Sequence, residues 1–362
     1  MNSMITTEDL KIKVTKTEKS KLKDFVWENL TFGKSFSDHM LVMNYKDGEW
    51  QTPEIKPLDN FSLHPATSAF HYGQSLFEGM KAYKQINGDV IVFRPDKNAE
   101  RMKNSCVRMC MPPIDEELFV QLVLKFVEVE KDWVSDREGY SLYLRPFMFA
   151  TDPFVGVKES STYTFCIFGC PVGAYYSEPV NVKIEEYYTR AAVGGVGRAK
   201  VTGNYGPTLY PAKLAQDEGY HQLLWTDGQS HEYIEEAGTM NVMFVKNGVV
   251  ITPTEEYDTI LRGVTKRSVI QIAEKWGLKV EERLVGVKEI IEGVDDGSVT
   301  EAFGAGTAAT IAPIDEIGYR GKNFRLPPVE KYEFANKVAK YIYDIKTGRA
   351  EDVFNWNYKV GK

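Results

Sequence analysis

Residues 298–321 read SVTEAFGAGTAATIAPIDEIGYRG, and two folds compete for them. GAGTAA, at 304–309, meets the G-x-G-x-x-G/A spacing of a dinucleotide-binding turn and follows a strand-like run. Such a turn must open directly into a helix, because the pyrophosphate rests on that helix's N-terminus. Here it is followed by TIAPIDEIGYRG, rich in β-branched residues and interrupted by Pro313, which suits no helix interior. The spacing is met without its context. This segment therefore argues against a doubly wound nucleotide-binding sheet.

The flanking sequence agrees. HMLVMNYKDGEWQ reads as a hairpin turning at Asp47-Gly48, and NVMFVKNGVVITP as one turning at Asn247-Gly248. DVIVFRP is a strand stopped by Pro95, with Asp96 expected to cap the helix DKNAERMKNSCVRM, whose apolar face includes Met102, Cys106 and Met109. Residues 114–134 form a second amphipathic helix, and strands are expected over 140–150 and 161–172. Beyond them VNVKIEEYY, HQLLWTD and HEYIEE read as strands, the last two joined by Asp227-Gly228. Helices are expected in GPTLYPAKLAQDEG, over 263–277 and over 326–348. Strands and helices mix without strict alternation, which predicts an α+β fold. The division expected is a mobile arm over 1–25, a smaller domain over 26–172, a linker over 173–180 and a larger domain over 181–362.

Composition bounds the function. A 362-residue chain exceeds one ordinary core. Its net charge of −7 disfavours nucleic acid or an anionic membrane as the main partner. No apolar run reaches the ~18 residues of a membrane span. The first 24 residues lack the apolar core of a signal peptide, and the first arginine is Arg94; the expected compartment is the cytoplasm. Cys106/Cys110 and Cys166/Cys170 are each spaced C-x3-C, unlike zinc ribbons, and five scattered histidines offer no ligand pair, so no metal is expected.

Chemistry gathers in GGVGRAKVTGNYGPTLYPAK, at 194–213. Lys200 lies between glycines, with Arg198 and Tyr205 near it in sequence, and it lacks the G-K-[S/T] ending of a phosphate loop. Most lysines are solvated, but glycine-rich backbone allows close approach to a ligand. A lysine near apolar and cationic neighbours loses basicity, and its neutral amine can form a Schiff base. Gly263, Val264 and Thr265 open a helix whose free N–H groups suit an anion, although an ordinary cap is the commoner reading. Glu235 and Glu236 end a strand where one acid could meet a protonated ring nitrogen. In SLYLRPF, Tyr143 and Arg145 share a strand face, and an arginine beside tyrosine on an apolar strand suits an anion.

Taken in order, FSDHML, FHYGQSLFEGMKAY, FRPDKNAERM, YLRPF, CPVGAYY, RAAVGGVGRAKVTGNYG, EEAGTMN, LRGVTKRS and FGAGTAA resemble the branched-chain amino acid aminotransferases, fold-type IV pyridoxal-phosphate enzymes. The matches run from about residue 30 to 315. The resemblance implies a two-domain fold like that of D-amino acid aminotransferases, with pyridoxal 5'-phosphate at the domain interface. It makes Lys200 the lysine that carries the cofactor and moves the proton. Arg101, Gly263, Val264, Thr265 and Thr307 match the phosphate site. Tyr205 matches the partner of the phenolic oxygen and Glu236 that of the pyridine nitrogen, with Arg190, Thr239 and Leu261 beside the cofactor. The substrate pocket it implies comprises Phe36, Tyr72, Phe77, Tyr143, Arg145, Val157, Tyr175, Thr239, Thr307 and Ala308. It implies a homodimer in which Tyr72 and Val157 reach the partner's site, and amino and 2-oxo acids as ligands.

Departures are specific. Ala309 and Ala312 stand where mammalian members carry a C-x-x-C pair, Arg262 where proline is frequent, and Thr202 where glycine is common. Rivals within the fold are a D-amino acid transaminase and an aminodeoxychorismate lyase; outside it stand a nicotinamide-dependent reductase and a non-catalytic amino-acid-binding relative.

Overall fold

The computed structural model describes residues 11–173 and 179–361. The chain divides into two compact units, Met1–Tyr175 with Asp344–Lys362, and Tyr176–Tyr343. Each unit is built on its own sheet. No helix among the described residues is long and apolar enough to cross a membrane.

In the first unit the sheet runs Lys13–Val14, Glu54–Pro57, His39–Lys46, Tyr163–Val172, Ser141–Ala150, Met80–Lys84, Val90–Phe93 and Asn357–Lys359. Its centre is the ten-residue antiparallel pairing of Ser141–Ala150 with Tyr163–Val172. The Asp47-Gly48 turn forms with both residues at positive φ, as a tight hairpin requires. Helix Pro95–Arg108 starts two residues earlier than a cap at Asp96 would place it: Arg94, in the left-handed region, occupies the cap position and Pro95 is the first helical residue. Asp96 is therefore in the first turn, not at the cap. Helix Glu116–Val129 is shorter than 114–134 and is capped by Asp115, which accepts from the N–H groups of Glu117 and Leu118.

Two expectations about the ends change. The arm is tied down where it is described: Lys13–Val14 pairs with Glu54–Ile55, and His39 Nε2 accepts from the Thr17 N–H at 2.9 Å. The last residues, Asp344–Lys362, group with the first unit because Asn357–Lys359 adds an edge strand to Val90–Phe93. Most of the expected linker, 174–178, lies outside the described residues.

In the second unit the strands Met240–Lys246, Val299–Gly306, Thr310–Tyr319, Val180–Ile184, Gln222–Thr226 and Tyr233–Ala237 pair in a ring, closed by Tyr233–Ala237 with Met240–Lys246. Val180–Ile184 runs parallel to both neighbours, whereas the hairpins are antiparallel. GAGTAA ends one strand and turns into the next, with Phe303 facing Pro313 across the hairpin. The nucleotide reading fails for the reason its context foretold: a strand, and no helix, follows. The helix Val287–Asp295 is an element the sequence reading did not mark.

Candidate active site

The segment carrying Lys200 is irregular, and its shape comes from outside contacts. Asn204 Nδ2 donates to the carbonyls of Val196 and Ala199, at 2.9 and 3.0 Å, and staples the loop to itself. Arg198 pairs with Asp258 at 2.7 Å. Gly197 is required: a Cβ there would stand 2.5 Å from the Thr259 carbonyl oxygen. Ala199 and Val201 are buried on either side of Lys200, which anchors the backbone and leaves the lysine half-buried. Its Nζ donates to the Tyr205 hydroxyl at 3.1 Å. Thr202 begins a 3-10 turn on the surface, so the absence of glycine there strains nothing.

Glu236 lies on Tyr233–Ala237 and is buried. Its Oε1 accepts from the Leu261 N–H at 2.7 Å and from Asn241 Nδ2 at 3.1 Å. Its Oε2 is 3.3 Å from Arg190 Nη1. Burial raises its pKa, opposed chiefly by Arg190 and less by Leu261 and Lys200. Lys200, Tyr205, Arg190, Glu236 and Leu261 are thus one electrostatic cluster within the second unit. Asn241 extends it: the same amide donates to the Leu261 carbonyl, and its Oδ1 would lie 1.7 Å from a Cβ at Gly263. Gly263 is the cap residue of helix Val264–Lys275, with no side chain satisfying the first turn. Arg262, half-buried, pairs with Glu255 at 3.7 Å. Thr239 lies in the turn before Met240, and Thr307 and Ala308 in the turn before Thr310.

The first unit holds a second set. Arg145 Nη2 donates to the Tyr143 hydroxyl at 3.0 Å, confirming their shared face, and its guanidinium lies over the Phe77 ring at 4.7 Å. Its buried Nε has no partner, and no carboxylate pairs with it among the described residues. Phe36 packs on Phe168, which in turn borders Tyr143. Tyr72 and Val157 are exposed, Val157 by 90%, and neither belongs to this cluster. Tyr175 lies outside the described residues. Arg101 is no isolated cation: Glu78 takes its Nε at 2.7 Å and Nη2 at 2.8 Å, and also accepts from Asn98 at 2.7 Å. An anion at Arg101 must therefore use the edge of the guanidinium that Glu78 does not.

Sequence reasoning missed Glu78, Asn98, Asn241 and Thr259. Glu78 is inside the quoted FEGM, but a buried acid there gives no signal until its partner, 23 residues away, folds onto it.

A family model described as amino-transferase class IV matches residues 75–317. The chain is 43% identical over 337 residues to branched-chain-amino-acid transaminase 1 of Bacillus subtilis (strain 168), across 92% of this chain and 94% of that one. The solved branched-chain aminotransferase from Thermoproteus uzoniensis with norvaline superposes with a TM-score of 0.74 at 25% identity, across 89% of this chain and 100% of that one. The branched-chain amino acid aminotransferase from Thermobaculum terrenum, in its PLP form, shares the fold with a TM-score of 0.71 at 22% identity, across 90% of this chain and 99% of that one.

Proposed function

The chain belongs to the class IV aminotransferase family and is a branched-chain-amino-acid transaminase; on that premise we propose that it uses pyridoxal 5'-phosphate and exchanges amino groups between L-leucine, L-isoleucine or L-valine and 2-oxoglutarate, as a cytoplasmic homodimer. The observation that carries the reading is Lys200. Its amine meets the Tyr205 hydroxyl, and its charge bears on the buried Glu236 carboxylate.

The residues fit such a cofactor. The uncapped start of Val264–Lys275 offers N–H groups to an anion. Glu236 is a buried carboxylate held by two donors and an arginine, as a partner for a ring N–H should be. When bound, the cofactor supplies an electron sink for the charge left at Cα. Gly263, Val264, Thr265 and Thr307 would hold its phosphate, Tyr205 its phenolic oxygen and Glu236 its ring nitrogen, with Arg190, Thr239 and Leu261 around them. Lys200 Nζ takes the proton leaving the substrate and returns it, acting as general base and then acid. Phe36, Phe77 and Tyr143 would form the wall for the aliphatic side chain, and Tyr72 and Val157, both exposed, would reach the partner subunit's site. Such a wall separates valine from leucine by only about 1–3 kcal/mol per methylene. Arg145 carries the opposite demand: it meets the second carboxylate of glutamate.

Borohydride reduction tests the assignment. Pyridoxyl label should appear on the peptide containing Lys200, and label on any other lysine would overturn it. The visible spectrum of the purified protein should change on adding leucine.

A further inference from the structure

Neighbouring residues of a regular strand point to opposite faces, so Glu235 should face away from Glu236 and its partners. The ladder prevents this. Trp225 pairs with Glu236 and Thr226 with Ile234, so Glu235 is the extra residue of a β-bulge. A bulge resets the alternation and re-aims a side chain, and bulges concentrate near active sites. The outcome is a second buried carboxyl beside the same arginine: Glu235 is 6% exposed, and the Arg190 charge bears on it as well as on Glu236. Thr259 also serves both, since its side chain hydrogen-bonds Glu235 and its carbonyl accepts from Arg190 Nη2. Two buried polar atoms here have no partner among the described residues, Glu235 Oε2 and Arg190 Nε.

We propose that Glu235 is a positioning residue that shares Arg190 with Glu236, and that its protonation state sets how strongly Glu236 holds a proton at the cofactor's ring nitrogen. This rests on the transaminase reading above. The groups that face Glu235 are Arg190 from the stretch after Val180–Ile184, Asp227 from the end of Gln222–Thr226, Thr259 from the loop before Val264–Lys275, and Glu236 on its own strand. Their signs fix the direction. When Glu235 carries a proton, the Arg190 charge acts on Glu236 alone and makes it the weaker base. When Glu235 ionises, its negative charge adds to that of Glu236, and Glu236 becomes the stronger base. Burial pushes Glu235 up to about 7, so this exchange falls within the working pH range.

The test follows the carboxyls directly. In protein freed of cofactor and labelled with δ-13C glutamate, the Glu236 resonance, assigned with Glu236→Gln, should shift as Glu235 titrates. The Glu235→Gln variant should lack that inflection, and Glu236 should titrate lower in it. The coupling expected is about half to one pH unit, or roughly three- to tenfold in proton affinity. In the loaded enzyme, 15N-labelled pyridoxal phosphate should show the ring nitrogen less protonated above pH ~7 in Glu235→Gln than in the unaltered protein, with the rising limb of the leucine half-reaction moved accordingly. Circular dichroism confirms that the variant is folded. Independent titration of the two carboxyls in a protein that does transaminate would overturn the inference alone. A protein that takes up no pyridoxal phosphate would overturn the reading beneath it, whatever the carboxyls do.

Discussion

Arg101 in the first unit and Arg190 in the second are equally buried, each side chain 8% exposed, and each faces carboxylate. Their surroundings differ. Glu78 grips Arg101 by two parallel hydrogen bonds and gives its remaining capacity to Asn98 and the Gly79 N–H. Arg190 faces two acids, keeps an unpartnered Nε, and approaches Glu236 at 3.3 Å without a paired fork. A bidentate pair with its lone pairs filled is a rigid fixture. An arginine shared between two acids has a distribution of charge that a proton or a ligand can shift. The contrast separates scaffold from responsive region. Neither burial nor residue type distinguishes them; only the count and geometry of partners does.

The largest effect should come from breaking the complete pair. Glu78→Ala leaves the Arg101 guanidinium buried and uncompensated, and should cost about 3–5 kcal/mol of stability by urea unfolding. Replacing both, Glu78→Leu with Arg101→Met, should recover most of that loss. A double variant as unstable as the single one would show that the loss was one of packing and not of charge.

Arg145 sharpens the comparison because it is an arginine with no carboxylate partner among the described residues. It rests on the Phe77 ring and the Tyr143 hydroxyl. Arg145→Met should slow the glutamate and 2-oxoglutarate half-reactions by about 2–5 kcal/mol, the usual cost of truncating one partner of a desolvated charge pair. The leucine half-reaction should change far less, since methionine still lines the wall. Equal losses in single-turnover rates would make Arg145 a support of the pocket only.

The smallest effect concerns the shared pair and the pH dependence of stability. Glu235 titrates at about 7 in the folded chain, from an ordinary 4.5. The folded state then binds the proton more tightly than the unfolded one. Stability must fall as pH rises from about 4.5 to about 7, and level off above. Glu235→Gln removes that slope and should stabilise the cofactor-free protein at pH 8 by roughly 2–3 kcal/mol. Parallel unfolding curves across this range would show that Glu235 ionises without cost in the folded chain.

Much of this was legible in the residues. Turn chemistry placed the Asp47-Gly48 and Asn247-Gly248 hairpins, because tight hairpins need positive φ that these pairs tolerate. Apolar runs marked the central strands, and the missing helix after GAGTAA argued against the nucleotide fold. Ordered motifs pointed to the family and the candidate lysine. Boundaries set by local chemistry were less secure: Arg94, not Asp96, occupies the cap because Pro95 already has the φ of a first helical residue.

What the sequence determined by itself was therefore whatever depends on neighbours along the chain: strand, turn and helix, with Lys200 marked as the candidate lysine. Only the tertiary structure decided the charges. Glu78 finds Arg101, Asn241 finds both Glu236 and Leu261, and Asp344–Lys362 groups with the first unit, all through contacts between residues distant in sequence. The bulge at Glu235 belongs to the same class, since its register exists only in the pairing with Gln222–Thr226. The physical reason is that the strength of a charge depends on burial and on partners, and neither exists until the chain has closed around it.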